Sequence, residues 1–238
     1  MAFTLATARS YQSAASVIKG LQLQLPMIVY NGAAMVDPHD GHCLYKKVFA
    51  QKDAELLRNM LFDYHMYPFV YAWIDGAERV SYIDAYLHEG GRHYLSKRKG
   101  DPRFRKVDQL ASLFEGDVFY ITCIHELETL KPIYDILKLY NVSIVFQQEL
   151  YRDEYWLEIM PEGTSKAAAI KELKEMEQAD HLVSFGDARN DIEMFVSSDE
   201  CYAVDNAVSE LKDIADGVIA CNDDSGVVSW LYQHVGKE

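Results

Sequence analysis

The stretch that decides the fold runs from Leu182 to Asp191 and reads LVSFGDARND. Its first half has the apolar character of a short buried β-strand, which would deliver Gly186 and Asp187 to its carboxyl end. In open α/β sheets, ligands bind at that end of the strands. The helix expected next presents Asn190 and Asp191 from its first turn. The stretch therefore predicts an α/β fold with two carboxylates and an amide at one sheet edge.

The oxygen-bearing side chains of this stretch suit a magnesium ion. Magnesium prefers carboxylates and water and often shares its coordination shell with a substrate phosphate, so Asp187 and Asp191 are candidate metal ligands. A second interpretation is structural, because acidic side chains favour the positive end of any helix dipole. The residues alone leave both interpretations open.

Two further segments place polar side chains where a strand or loop meets a helix. Ser165 would cap a helix that begins at Lys166, and a cation in the first turn is disfavoured unless it serves a purpose such as holding a phosphate oxygen. Thr7 ends a strand-like segment directly before a helix, where it could also bind phosphate. Taken singly, a solvated surface lysine and a simple capping threonine are the commoner explanations.

Strand and helix signals alternate at both ends of the chain, and the pattern changes in the middle. Near the amino end, strand-like Phe3–Thr7 and Pro26–Tyr30 flank a helix that Ser10 can cap and that would run to about Lys19. The middle combines helical spacing with a hairpin signal at residues 75–76 and several strand-like runs. Alternation returns after Ser165.

These patterns predict two domains. An α/β core would comprise residues 1–45 and 162–238, and an α+β domain of residues 46–161 would be inserted into it. Within the insertion, the basic, glycine-containing stretch of residues 90–105 could meet anionic substrate groups, but it is predicted to be a solvated loop.

Charge and composition limit the partners. The chain has 23 lysines and arginines against 37 acidic residues, a formal net charge of -14, which repels nucleic acids and anionic membrane surfaces. It shows neither a bilayer-spanning apolar run nor a signal peptide, so we expect a cytoplasmic location. The cysteines form no CxxC pair and are expected to be reduced structural thiols. They are Cys43, Cys123, Cys201 and Cys221.

Taken in order, the three polar segments resemble motifs II, III and IV of the haloacid dehalogenase (HAD) superfamily, and in particular of its Cof-type phosphatases. Motif II, ATGR, is matched by Ala6–Arg9 with Ala8 in place of glycine. Lys166 matches motif III, and motif IV, GDxxND, is matched in full by residues 186–191. Further similar segments are Tyr30–Ala33, Asp37–Pro38, Tyr202–Ala207 and Asn222–Val227.

The resemblance implies a fold and an activity. The fold would be a HAD-like Rossmannoid parallel-sheet core with an inserted α+β cap, and the activity a magnesium-dependent hydrolysis of small phosphorylated metabolites, with sugar phosphates as one candidate class. In that family, Thr7 and Asn190 would bind phosphoryl oxygens, and Lys166 would neutralise them as the catalytic lysine. Asp187 would coordinate Mg²⁺, and Asp191 would support that site from beside it. The substrate and the oligomeric state stay open.

The same resemblance places the attacking aspartate in a motif I, DxDGT, after a first, central strand, and the 238 residues contain no such motif. The DPHDG segment at residues 37–41 and the pair Asp223 and Asp224 are better explained as turn residues. We therefore expect a truncated chain that lacks the amino-terminal strand of the core, binds Mg²⁺ weakly or not at all, and is inactive as given. Two alternatives stay open, namely a pseudoenzyme that binds a phosphorylated ligand and a non-catalytic interaction module.

Overall fold

The structure, a computed structural model, describes residues 1–149 and 152–234. Contacts between Cα atoms divide the chain into two compact units. One consists of Met1–Tyr45 and Ser165–Glu238, and the other of Lys46–Thr164. The boundary predicted at residues 161/162 coincides with the end of a strand in the second unit. Below, the first is called the discontinuous unit and the second the inserted unit.

Regular elements follow one another closely along the described residues. The strands are β1 Met27–Val29, β2 Ala34–Val36, β3 Cys43–Lys46, β4 Phe69–Ile74, β5 Ala77–Tyr82, β6 Phe104–Lys106, β7 Asp117–His125, β8 Val142–Gln148, β9 Tyr155–Pro161, β10 Val183–Gly186, β11 Glu200–Val204 and β12 Gly217–Ile219. The α-helices are α1 Tyr11–Ala14, α2 Gln51–Asp63, α3 Glu89–Ser96, α4 Leu127–Leu137, α5 Lys166–Met176, α6 Ile192–Val196, α7 Ser209–Lys212 and α8 Gly226–His234. Short 3₁₀ turns cover Tyr30–Gly32, Asp84–Tyr86, Leu110–Phe114, Arg189–Asp191 and Asn222–Asp224.

The discontinuous unit contains two three-stranded sheets. One has the order β1-β2-β3, and the other, β10-β11-β12, is parallel. Helices α5 and α6 contribute to one apolar cluster with residues of both sheets, including Ile28 of β1 and Ala203 of β11, which are both fully buried. Because parallel strands need covering helices, this arrangement confirms the predicted α/β organisation.

The inserted unit is a six-stranded sheet with helices packed on it. The strand order is β6-β5-β4-β7-β9-β8, and all neighbours are antiparallel except β5 and β6. Alternate residues of β4, β7 and β9 form one core with α2 and α4, as a period of two residues requires. The predicted hairpin is present, because Asp75 and Gly76 both have positive φ between paired Ile74 and Ala77.

Three predictions of local structure were wrong. The strand Phe3–Thr7 is only a parallel bridge between Ala6 and Ile28, and the helix expected to reach Lys19 ends at Ala14. Short helices are only marginally stable without tertiary packing. Val17, which lies in the segment expected to be helical, is exposed and does not pack against the core. The basic stretch read as a loop contains α3 and β6 instead.

Glycine in that stretch has a packing role. A Cβ atom on Gly90 would lie 2.8 Å from Ile124 Cγ2, so glycine lets α3 approach β7 closely. None of the described helices has both the length and the apolar character needed to cross a membrane.

Candidate active site

Strand β10 ends at Gly186, and the chain then turns back over the strand end. Asp191 is buried there, and its Oδ2 accepts hydrogen bonds from the backbone N–H groups of Asp187 at 3.1 Å and Ala188 at 3.2 Å. A Cβ atom on residue 186 would lie 2.9 Å from Oδ2 of Asp191 and 2.9 Å from a ring carbon of Phe195. Glycine is therefore required for Asp191 to fold onto the strand end.

Lys166 meets Asp191 in the interior. Ser165 caps α5 by accepting a hydrogen bond from the N–H of Ala168, which sets Lys166 in the first turn, as predicted. The Nζ atom of Lys166 donates to Oδ1 of Asp191 at 2.6 Å, and the two side chains are only 8% and 4% exposed. The surface-lysine interpretation is therefore wrong, because this ammonium group is buried and paired.

The 3₁₀ turn Tyr30–Gly32 brings a further amide to this place. Asn31 is buried, has φ of 53°, and accepts a hydrogen bond at its Oδ1 from Nδ2 of Asn190 at 3.0 Å. Gly32 lies so close to α5 that an added Cβ would be 2.2 Å from the carbonyl oxygen of Ser165. Asn31 is not among the predicted site residues, because its Asn-Gly pair indicated only a strand end at which the chain can turn sharply.

Thr7 is tied to the same turn through its backbone. Its N–H donates to the carbonyl of Ile28 at 2.9 Å, and its carbonyl accepts from the N–H of Asn31 at 3.0 Å. The Thr7 hydroxyl oxygen accepts from the N–H of Arg9 at 3.1 Å, the local bond of a turn-forming threonine. One chain of contacts therefore connects Thr7 through Asn31 to Asn190.

The carboxylate groups at this site are of the kind that binds magnesium. Within the described parts of the chain, the exposed Asp187 carboxylate has no hydrogen-bond or ion-pair partner, so its oxygens are available. Both oxygens of Asp191 are engaged by Lys166 and the backbone, so this residue would support a metal site from beside it. Magnesium is commonly held by one or two carboxylates together with water and substrate phosphate. Asp187 is thus the residue that would hold it.

The other acidic residues weighed as substitutes for a nucleophile occupy turns. Asp37 and Asp40 accept hydrogen bonds from the backbone N–H groups of His39 and His42 between β2 and β3. The pair Asp223 and Asp224 belongs to the 3₁₀ turn before α8. Asp37 directly follows β2, but β2 pairs antiparallel with β1, whereas Asp187 follows β10, a strand of the parallel sheet.

Comparison with known proteins decides the family. The sequence profile of the haloacid dehalogenase-like hydrolases matches residues 1–231. The chain belongs to this family. As a HAD-like hydrolase, it is 21% identical over 233 residues to a 5-amino-6-(5-phospho-D-ribitylamino)uracil phosphatase of Bacillus subtilis, a match that covers 97% of this chain and 83% of that protein.

Solved structures of HAD-like proteins share the fold. A haloacid dehalogenase-like hydrolase from Bacteroides thetaiotaomicron superposes with a TM-score of 0.77 at 20% identity, covering 97% of this chain and 85% of the other. A sugar phosphatase of HAD subclass IIB gives a TM-score of 0.75 at 18% identity, covering 99% and 86%. The HAD-like fold and the Cof-type resemblance are therefore confirmed.

Proposed function

We propose that this HAD-family hydrolase carries the site of a magnesium-dependent phosphatase that acts on small phosphorylated metabolites, among them sugar phosphates. The observation that carries the proposal is the buried Lys166–Asp191 pair beside Asn190 at the carboxyl end of β10. Lys166 would neutralise phosphoryl oxygens, while Thr7 and Asn190 would donate hydrogen bonds to them. Asp187 would hold Mg²⁺, which supplies charge to the transferring phosphoryl group.

The charges of the site explain why a metal is needed. Asp187 and Asp191 carry two negative charges against the one positive charge of Lys166, so the three side chains sum to -1 at neutral pH. This net negative charge would repel a phosphate dianion unless a bound divalent cation made the net charge of the site positive. Phosphate binding is therefore expected to depend on Mg²⁺ and, because Mg²⁺ itself is expected to bind weakly without motif I, to require a high Mg²⁺ concentration.

The relatives support the substrate class. The Bacillus subtilis relative is named for a phosphorylated ribityl compound, and the subclass IIB structure is described as a sugar phosphatase. Both names describe small phosphorylated metabolites, the class that we propose for this chain. The strongly acidic composition supports our further proposal of no nucleic-acid or membrane partner. A cytoplasmic location is also proposed.

We also propose that these 238 residues, by themselves, bind a phosphorylated ligand without hydrolysing it. Phosphoryl transfer through an aspartyl-phosphate needs a carboxylate nucleophile placed in line with the leaving group. The sequence contains no DxDGT motif, and Asp187 is assigned to the metal. Lys166, Asn190 and Thr7 can bind the phosphoryl group but cannot attack it.

The test separates binding from turnover. Hydrolysis of a panel of sugar phosphates would be measured with and without Mg²⁺, and binding of orthophosphate would be measured by calorimetry under the same conditions. Expected results are Mg²⁺-dependent phosphate binding without turnover, loss of binding in Asp187→Ala and in Lys166→Met samples shown by circular dichroism to be folded, and normal binding in Lys174→Met. Lys174 is the matched control, since it lies on the same helix in a solvated ion pair with Asp199.

Each result has a definite meaning. Turnover that Asp187→Ala abolishes would support the phosphatase site and overturn the proposed lack of hydrolysis. Absence of any Mg²⁺-dependent phosphate binding by a well-folded sample would contradict the site itself. A segment carrying DxDGT, fused ahead of Phe3, should create turnover, and its failure in a folded protein would count against the phosphatase assignment.

A further inference from the structure

The inserted unit contains a second group of chemically active side chains, which the proposed phosphatase site does not use. His125 is the last residue of β7, Glu126 precedes the first turn of α4, and His88 precedes the first turn of α3. One strand end and two helix starts therefore bring two imidazoles and a carboxylate together. Among the described residues, these three form the one group of three or more His, Cys, Asp or Glu side chains close enough to share a metal ion.

The contacts within this group are close and specific. Nε2 of His88 lies 2.9 Å from Oε1 of Glu126, and Nδ1 of His125 contacts Oε2 of the same carboxylate. The two imidazole rings stack with their centroids 4.0 Å apart at an interplanar angle of 29°. Each oxygen of one carboxylate is thus assigned to a different imidazole, and the candidate ligand atoms all lie within 4.8 Å of one another.

We propose that His88, His125 and Glu126 bind a divalent cation of the zinc type in the inserted unit. Two imidazoles and one carboxylate are a donor set that Zn²⁺ and its first-row neighbours accept, whereas Mg²⁺ prefers oxygen ligands alone. The site is independent of Asp187 and of the proposed phosphatase activity.

The ion can enter when the contacts of both imidazoles with Glu126 open, and its binding costs the 3.0 Å hydrogen bond that Nδ1 of His125 accepts from the backbone N–H of Glu126. Zn²⁺ bonds of roughly 2.0–2.1 Å in a tetrahedral arrangement set neighbouring ligand atoms about 3.3 Å apart. The His88–Glu126 contact of 2.9 Å would need to open by about 0.4 Å, and the side chains of the group are a quarter to a half exposed, which permits it. If Nε2 of His88 coordinates the ion, the ring proton stays on Nδ1. The hydrogen bond that Nδ1 of His88 accepts from the N–H of Gly90 is then lost. At 3.4 Å this bond is already long and weak.

The positive charge of Arg152, which pairs with Glu89 next to His88, is offset, because its guanidinium also contacts Glu154.

A small pocket adjoins both histidines. Its lining includes His65, Tyr67, Thr122 and Thr129 together with His88 and His125. With three protein ligands, a tetrahedral ion keeps a fourth position for water, which this pocket can hold. The site therefore has the composition of an exchangeable metal centre with an open position rather than of a closed structural one.

The experiment uses Co²⁺ as a spectroscopic substitute for Zn²⁺ on the full chain in the presence of excess Mg²⁺. The expected result is a visible absorption band that saturates at one Co²⁺ per chain, is displaced by Zn²⁺, and persists in Asp187→Ala. His125→Gln and Glu126→Gln should weaken binding at least tenfold. His181→Gln should not, because His181 has the same 2.9 Å contact with a carboxylate, Glu200, but no second imidazole.

Two results would overturn the proposal. One is Co²⁺ affinity that is unchanged in His125→Gln, and the other is an intense near-ultraviolet charge-transfer band, which would assign the ion to cysteine sulfur. If His125→Gln does not fold, the melting temperature of the unmodified chain tests the proposal instead. Added Zn²⁺ should raise it and added Mg²⁺ at the same concentration should not, and an equal response to both ions would contradict the site.

Discussion

The ammonium group of Lys166 lies 2.6 Å from Oδ1 of Asp191, and both side chains are more than nine-tenths buried. The pair joins the first turn of α5 to the turn that follows β10. A cation at the positive end of α5 is unfavourable by itself, and Asp191 offsets that cost. Because Asp191 also accepts two backbone hydrogen bonds, it holds the strand end, the helix start and the lysine in one arrangement.

Lys166→Met is expected to destabilise the protein strongly, because it leaves the Asp191 charge buried without its partner. Breaking a buried ion pair in this way costs about 3–5 kcal/mol. The matched change Lys174→Met removes a half-exposed pair with Asp199 and should cost about 1 kcal/mol or less. Urea denaturation of both variants measures the difference.

The double variant Lys166→Met/Asp191→Asn should recover part of the lost stability. Asparagine removes the buried charge and keeps an oxygen that can accept the backbone hydrogen bonds of residues 187 and 188. A double variant no more stable than Lys166→Met would show that an unpaired charge is not the cause of the loss.

Gly32→Ala should be far more costly than Gly20→Ala. The two glycines have almost the same positive φ, +99° and +97°, so a similar penalty of about 1–2 kcal/mol for an added side chain is expected at both. An added Cβ at Gly20 meets nothing within 4 Å, whereas at Gly32 it meets the Ser165 carbonyl oxygen at 2.2 Å. Thermal unfolding should show a clearly larger loss for Gly32→Ala, and equal losses would mean that the turn is not packed against α5.

The positions of the candidate site residues after β10 could be predicted from sequence because motif and local structure agree there. A short apolar run followed by Gly186 and Asp187 predicts both the strand and the position of the carboxylate at its end. The burial of Lys166 could not be predicted, because a lysine in the first turn of a helix is usually solvated. Only the position of Asp191 in the folded chain makes burial possible.

The errors at the amino end and in residues 90–105 have one origin. Local patterns report propensity, whereas element length depends on what each residue packs against. The segment of residues 11–20 buries only Ala14 and Ile18, and its helix ends after four residues. The segment containing Gly90 and Gly91 has poor helix propensity, yet α3 forms because those glycines allow close contact with Ile124 and Phe69.

The four cysteines should divide into two classes in a thiol-labelling experiment on the folded protein. Cys43 and Cys221 are partly exposed, and Cys123 and Cys201 are buried. Burial also raises the pKa of the Cys123 and Cys201 thiols, which suppresses the reactive thiolate. Two thiols are expected to react rapidly and four after denaturation. Rapid labelling of a Cys43→Ser/Cys221→Ser variant would contradict this assignment.

Asp101 should stabilise the inserted unit at neutral pH and lose that effect in acid. Its carboxylate accepts hydrogen bonds from Arg103 at 2.6 Å and 3.0 Å, and both side chains are 12% exposed. Burial by itself would raise the pKa of Asp101, but the hydrogen bonds and charge of Arg103 outweigh it, so the pKa lies below its usual value of 3.8.

The folded protein therefore binds this proton more weakly than the unfolded chain. The stabilisation is complete above pH 3.8, the value for the unfolded chain, and disappears as the pH falls through the lower pKa of the folded state. Asp101→Asn should lower the unfolding free energy by about 1.5–3 kcal/mol at pH 5–7, the range typical of hydrogen bonds to charged groups. The gap should shrink below pH 4 in urea titrations. Asp63→Asn, at the exposed end of α2, controls for the change in net charge, and a gap that stays constant down to pH 3 would contradict the role of the Asp101 charge.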